Sequence, residues 1–126
     1  MSARDAVDEA NAAIGAAIST GSLHREFRSL LSEIQYELLD HADGGAPSTD
    51  RLRFALRRHG VEPPHGFPVL GGYSAAAGLL KLAAAISRRA ARQTSSEYLR
   101  VLPDVLLVIA FHTEQEESAR VPFGIC

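Results

Sequence analysis

Apolar residues recur at intervals of three and four along most of this chain, the spacing that places side chains on one face of an α-helix. Val7, Ala10, Ile14, Ala17 and Ile18 form one such stripe and predict a helix over residues 3–19, with Ser2 as its amino-terminal cap. A stronger stripe of Leu23, Phe27, Leu30, Leu31, Ile34 and Leu38 predicts a helix over 22–42, stopped by Asp43, Gly44, Gly45, Ala46 and Pro47. A short helix over 49–59 follows, with Leu52, Ala55 and Leu56 inward and Arg51, Arg53, Arg57 and Arg58 mostly outward; Gly60 ends it. Three prolines and three glycines between residues 61 and 72 forbid a regular helix, so this segment reads as an irregular connection, long enough to shape a site.

The pattern resumes over 74–93, where an alanine-rich helix carries Leu79, Leu80, Leu82 and Ile86 and small side chains that let neighbours approach closely. A fifth helix is expected over 95–113, with Thr94 and Glu97 forming a capping box and Pro103 kinking the helix between Leu99 and itself. Its apolar interior from 101 to 111 includes the β-branched Val105, Val108 and Ile109, which would also suit a buried strand, but the sequence offers no partner strand. Residues 114–126 read as a tail. The pattern therefore predicts an all-α, five-helix bundle forming one domain over residues 1–126.

Composition narrows the picture. A chain of 126 residues has room for one hydrophobic core, and 46% hydrophobic with 22% charged residues is ordinary globular usage. The net charge of -2 creates no broad field to attract phosphate backbones, so no nucleic-acid partner is expected. The longest uninterrupted apolar run, Val105 to Phe111, is far short of the ~20 residues a spanning helix needs. Without a signal-peptide pattern, the expectation is a cytoplasmic protein with no membrane partner. The single cysteine, Cys126, excludes an internal disulfide and reads either as a tail residue or as part of a tail docked at a cleft or subunit boundary.

Taken in order, several segments resemble one family. Val7-Asp8-Glu9-Ala10-Asn11-Ala12-Ala13-Ile14-Gly15 is similar to the VDELNxxIG segment of the ATP:cob(I)alamin adenosyltransferases. Ile34-Gln35, Leu38-Leu39-Asp40 and Ala42-Asp43 resemble that family's IQxxLFDLGADLATP stretch, and Phe67-Pro68-Val69-Leu70-Gly71-Gly72 its FxLPGG loop. Arg88-Arg89-Ala90-Ala91-Arg92 is similar to RRAER, and Tyr98-Leu99-Arg100-Val101-Leu102-Pro103-Asp104 to YLNRLSD. The pieces keep the family's order from Val7 to about Phe111. The resemblance implies the family's five-helix bundle, a homotrimer, and sites between adjacent subunits.

Several functional positions depart from that pattern. The family's phosphate-cradling TKxGDxGxT-type loop would precede Val7, where this sequence has six residues; its catalytic arginine falls at Ala83 or Ala84. The glutamate of RRAER is Ala91, and the asparagine of YLNRLSD is Arg100. The arginine that closes that helix is replaced near Phe111. Adenosyl transfer needs the triphosphate leaving group held and neutralised, a task for cations and donors, so these losses predict loss of that reaction.

The candidate chemistry is spread along the chain. Asp8 matches the family's acidic partner of the missing arginine and reads either as a partly desolvated acid/base group in a cleft or as an exposed carboxylate near a helix amino terminus. Glu37 and His41, at i and i+4 on one helical face, suit an acid/base pair, half a metal site or a solvated pair. His59, His65 and His112 show no clustering in sequence; His65, in the glycine/proline-rich segment, is the best titrating site residue among them. Tyr73 could present its hydroxyl at a helix amino terminus or serve in capping and packing. Arg88, Arg89 and Arg92 form a small basic patch, toward a subunit boundary or simply solvated. By resemblance Phe67 lines a ligand pocket, or else plugs the core, and Gly71, Gly72, Arg92, Arg100 and Asp104 belong to the ligand surface.

The leading expectation is thus a repurposed family member whose inter-subunit cleft, emptied of ATP, binds another small and fairly apolar molecule without a cofactor or metal. Its chemistry would be acid/base work such as cyclisation, isomerisation or dehydration in a biosynthetic pathway, with Asp8, His65, Tyr73 and Arg88 as catalytic groups. The alternatives are a residual adenosyltransferase or corrinoid-binding protein, with cobalamin as its cofactor, and a non-catalytic trimeric interaction protein.

Overall fold

The computed structural model describes residues 2–60 and 74–120, and these form five helices with no strand among them: α1 (Ala3–Ser19), α2 (Arg25–Ala42), α3 (Asp50–His59), α4 (Ala75–Ala91) and α5 (Glu97–Arg120). The strand alternative for 101–111 is excluded, because that segment lies inside α5. The irregular connection expected over 61–72 and the tail residue Cys126 lie outside the described residues.

Each helix starts where a side chain can satisfy an otherwise orphaned backbone N–H. Ser2 Oγ accepts from Asp5 N–H at 3.1 Å, as the sequence predicts. α2 starts later than predicted, because the imidazole of His24 caps it: Nδ1 accepts from Glu26 N–H at 3.2 Å. Ser74 Oγ accepts from Ala77 N–H at 3.0 Å and opens α4. The Thr94–Glu97 capping box does not form. Instead Ser96 Oγ accepts from Leu99 N–H at 3.2 Å, and the Glu97 carboxylate turns outward to Arg53 and Arg100, at 2.6 and 2.9 Å.

The stop after α2 follows the sequence closely. Gly44 takes φ +96°, a conformation that costs glycine little, and its N–H bonds His41 C=O while Gly45 N–H bonds Asp40 C=O, the paired closure that ends many helices. α5, by contrast, runs to Arg120, seven residues past the predicted end, and Pro103 sits inside it without ending it. A proline there removes the N–H that would meet Leu99 C=O, at a cost of about 3 kcal/mol. Fully burying Leu99, Leu102, Leu106 and Ile109 around it offsets that, since each such side chain contributes roughly 1.5–3 kcal/mol.

α1 packs against α2 and α4, α4 against α5, and α5 against α3. The α1 and α4 faces that meet are small: Ala6, Ala10, Ala17, Ala76, Ala77, Ala83, Ala84 and Ala90 are all fully buried. Such side chains let the backbones approach, and Ile14, Leu31, Ile34, Leu38, Leu52, Leu80 and Leu106 fill the remaining core. α1 and α2 run antiparallel, as Arg4 at the start of one meets Asp43 after the end of the other at 3.8 Å. No helix among the described residues is long and apolar enough to cross a membrane.

Candidate functional site

A groove of about 540 Å³ runs between α1 and α2, lined by Asp8, Asn11, Ala12, Gly15, Ser32, Gln35, Tyr36 and Leu39. Its floor is set by two amides that brace the helices reciprocally. Asn11 Nδ2 donates to Gln35 C=O at 3.2 Å, and Gln35 Nε2 donates to Asn11 C=O at 3.4 Å. Gly15 permits this approach, since a Cβ there would lie 3.1 Å from Gln35 Nε2. The Oδ1 of Asn11 is buried without a hydrogen-bond partner. On the rim Tyr36 is 72% exposed and Leu39 53%, which are large apolar surfaces to leave in water.

Among the described residues Asp8 is the one carboxylate lining this groove, but it is exposed rather than partly desolvated as the cleft reading expected. The other predicted site residues among the described residues are not brought to it. Arg88 is exposed in the last turn of α4, and Arg92 is exposed just beyond it. Arg89 points back to α1 and pairs with Glu9 at 3.1 Å, so the basic patch is split. Arg100 is exposed on α5 and engaged with Glu97, and Asp104 is exposed one turn further on. His65, Phe67, Gly71, Gly72 and Tyr73 lie outside the described residues.

Glu37 and His41 do not form the i, i+4 pair their spacing suggests. Each reaches a different residue of α5 or its cap. Tyr98 donates its hydroxyl proton to Glu37 Oε1 at 2.9 Å, and Arg51 of α3 contacts Glu37 Oε2 at 3.5 Å. His41 Nε2 lies 2.8 Å from Ser96 Oγ. Both pairs join α2 to the start of α5, and no group of three or more potential metal ligands occurs among the described residues.

The Tyr98 ring is 2% exposed, and its phenol is pushed well above its ordinary value of 10.0, first by burial and then by the neighbouring Glu37 charge and hydrogen bond, with Arg51 opposing. Below pH 10 the phenol is neutral whether the chain is folded or not, so stability is unaffected. Above it the unfolded chain releases this proton while the folded chain keeps it, so the unfolded state binds fewer protons and stability falls by about 1.4 kcal/mol per pH unit. Urea titrations at pH 9, 10 and 11 are expected to reveal this slope, and Tyr98→Phe to make it shallower; an identical slope in the variant would contradict the assignment.

Histidines scattered in the sequence converge at the opposite end of α2. Phe27 has the rings of His24, His59 and His112 around it at 6.2, 5.0 and 5.8 Å, and His112 Nε2 meets His59 C=O at 2.9 Å. Glu26 closes this cluster, contacting Arg58 at 2.8 Å and His59 at 3.3 Å. The Arg58 hydrogen bond is the main cause holding the Glu26 carboxyl below its usual range, against some desolvation; the Arg58 charge, His59 and His24 reinforce it. Nothing in the linear spacing signals this convergence, because three helices that are distant in sequence contribute to it.

Neither protein-family models, curated proteins nor solved structures match this chain. Its site must be read from its own residues.

Proposed function

We propose that this chain is a repurposed relative of the ATP:cob(I)alamin adenosyltransferases that assembles as a homotrimer and binds a small, fairly apolar molecule other than ATP in the α1–α2 groove, at a subunit boundary. The observation that carries the reading is the composition of that groove. Asp8, Asn11 and Gly15 come from the segment that resembles VDELNxxIG, and Gln35 and Leu39 from the segment that resembles IQxxLFDLGADLATP. Two separate pieces of the resemblance thus build one concave surface.

The absence of cations at the positions that matter supports a ligand other than a nucleotide. Ala83 and Ala84, where the resemblance sets the catalytic arginine, are fully buried, and Ala91 replaces the acidic residue of the next segment. No Lys or Arg among the described residues lines the groove. What it offers is one carboxylate, amides that can orient a carbonyl or hydroxyl, and an apolar rim for a ring or a neighbouring subunit. Among the described residues, Asp8 and the Tyr36 phenol are the groups on the groove able to move a proton, so catalysis there would be proton transfer centred on Asp8.

Sedimentation velocity at micromolar concentration is expected to give a trimer, and Tyr36→Glu combined with Leu39→Glu a folded monomer. In thermal-shift measurements, small apolar alcohols or ketones should raise Tm for the native chain and less so for Asp8→Asn, since a ligand of the folded state must stabilise it. ATP should not. A monomeric native chain at every concentration, or a Tm that rises with ATP, would sink the proposal.

A further inference from the structure

A second pocket, of about 360 Å³, lies where the end of α2 meets the start of α5, with Gly45, Ala46 and Pro47 on one side and Thr94 to Tyr98 on the other. His41 and Ser96 face each other in it at 2.8 Å, although 55 residues separate them in sequence. Ser96 Oγ already accepts the Leu99 N–H as the cap of α5. With the imidazole protonated on Nδ1, the serine's own proton is therefore directed to His41 Nε2, the arrangement a base uses to activate a hydroxyl. The His41 ring is seated against Tyr98, with centroids 6.5 Å apart.

The two helix ends add an electrostatic asymmetry. His41 sits in the last turn of α2, at that helix's negative end; Ser96 sits at the amino terminus of the 24-residue α5, whose positive end favours an anion. At that terminus the N–H groups of Glu97 and Tyr98 have no helical acceptor. The Glu97 carboxylate, which would otherwise repel an oxyanion, is held by Arg53 and Arg100 at 2.6 and 2.9 Å. Attack by a serine on a carbonyl creates this same pair of charges, a cation on the base and an anion on the carbonyl oxygen.

We propose that Ser96 and His41 form a nucleophile–base pair that accepts an acyl group from small carboxylic esters. Ser96 Oγ bonds to the carbonyl carbon as its proton moves to His41 Nε2, and the oxyanion forms beside the Glu97 and Tyr98 N–H groups. Collapse breaks the ester C–O bond, and the alcohol leaves with the proton from His41. Water, deprotonated by the same imidazole, then attacks the acyl carbon, releasing the carboxylic acid and returning the proton to Ser96. The pocket volume favours compact acyl groups, and the site is separate from the α1–α2 groove.

The full chain treated with p-nitrophenyl acetate should release nitrophenolate and carry one acetyl group, placed on Ser96 by peptide mass mapping. Ser96→Asn retains a side-chain acceptor for the helix cap, so it should keep the native circular dichroism while losing the adduct. His41→Gln should slow acetylation by about 100-fold or more, the range a general base supplies. Absence of acetyl on Ser96 in the native chain, or an unchanged acetylation rate in folded His41→Gln, would overturn the proposal.

Discussion

An arginine introduced at Ala83 or Ala84 is expected to unfold the bundle. Both alanines have 0% exposure on the α4 surface that meets its neighbours, and the described core cluster they belong to is built of hydrophobic residues. A guanidinium placed there needs volume that a close-packed interface does not contain, and it brings a charge that must be paired or left desolvated. The combined cost exceeds about 4 kcal/mol, a large part of the roughly 5–15 kcal/mol by which a domain of this kind is stable. Ala85→Arg, one position on and exposed, should change stability by no more than about 0.5 kcal/mol. Thermal unfolding followed by circular dichroism distinguishes them. If Ala83→Arg or Ala84→Arg melted like the native chain, that position would open onto a cleft with room for a cation, and the proposed lack of a nucleotide site would lose this support.

Leu106→Ala is expected to show the second-largest effect. The side chain is fully buried on α5, the helix that packs against both α3 and α4, so truncation removes its transfer free energy and leaves a cavity that the helix cannot collapse to fill. A loss of about 3 kcal/mol in urea denaturation follows, with a lower midpoint and an unchanged slope. Leu82→Ala provides the contrast, because Leu82 is 52% exposed and its removal should cost less than about 1 kcal/mol. Equal losses at the two positions would mean that Leu82 is covered, which a subunit contact on that face of α4 would explain.

Much of the helical order was legible in the residues themselves, because it depends on local chemistry. The stripe from Val7 to Ala17 and the cap Ser2 identify α1, and Gly44 and Gly45 identify the end of α2; the start of α4 follows from the return of the apolar pattern at Ser74. The errors arose where two local choices were close in energy and packing decided between them. The sequence sets the start of α2 at Ser22, whereas the structure caps it with His24. Thr94 and Glu97 looked like a capping box until Arg53, from a helix 44 residues away in sequence, took the Glu97 carboxylate. Pro103 lies inside α5 instead of ending it, because the helix-breaking cost is local whereas the burial that offsets it is set by packing against other helices.

The site was less legible for the same reason. Asp8 could be placed near a cleft from the resemblance, but neither the amide brace between Asn11 and Gln35 nor the three histidines around Phe27 follow from spacing along the chain. His41 was paired in sequence with Glu37, one turn away on the same helix; in space each finds a residue at the start of α5.

By itself, the sequence determined that the described residues are built from helices, that there are five of them, and which stripe of each turns inward, since periodicity, caps and breakers act within a few residues. Only the tertiary structure decided which polar side chains meet. Hydrogen-bond partners such as Ser96 and His41 are selected by how the helices cross, and that depends on the fit of buried alanine and leucine surfaces summed over the whole core.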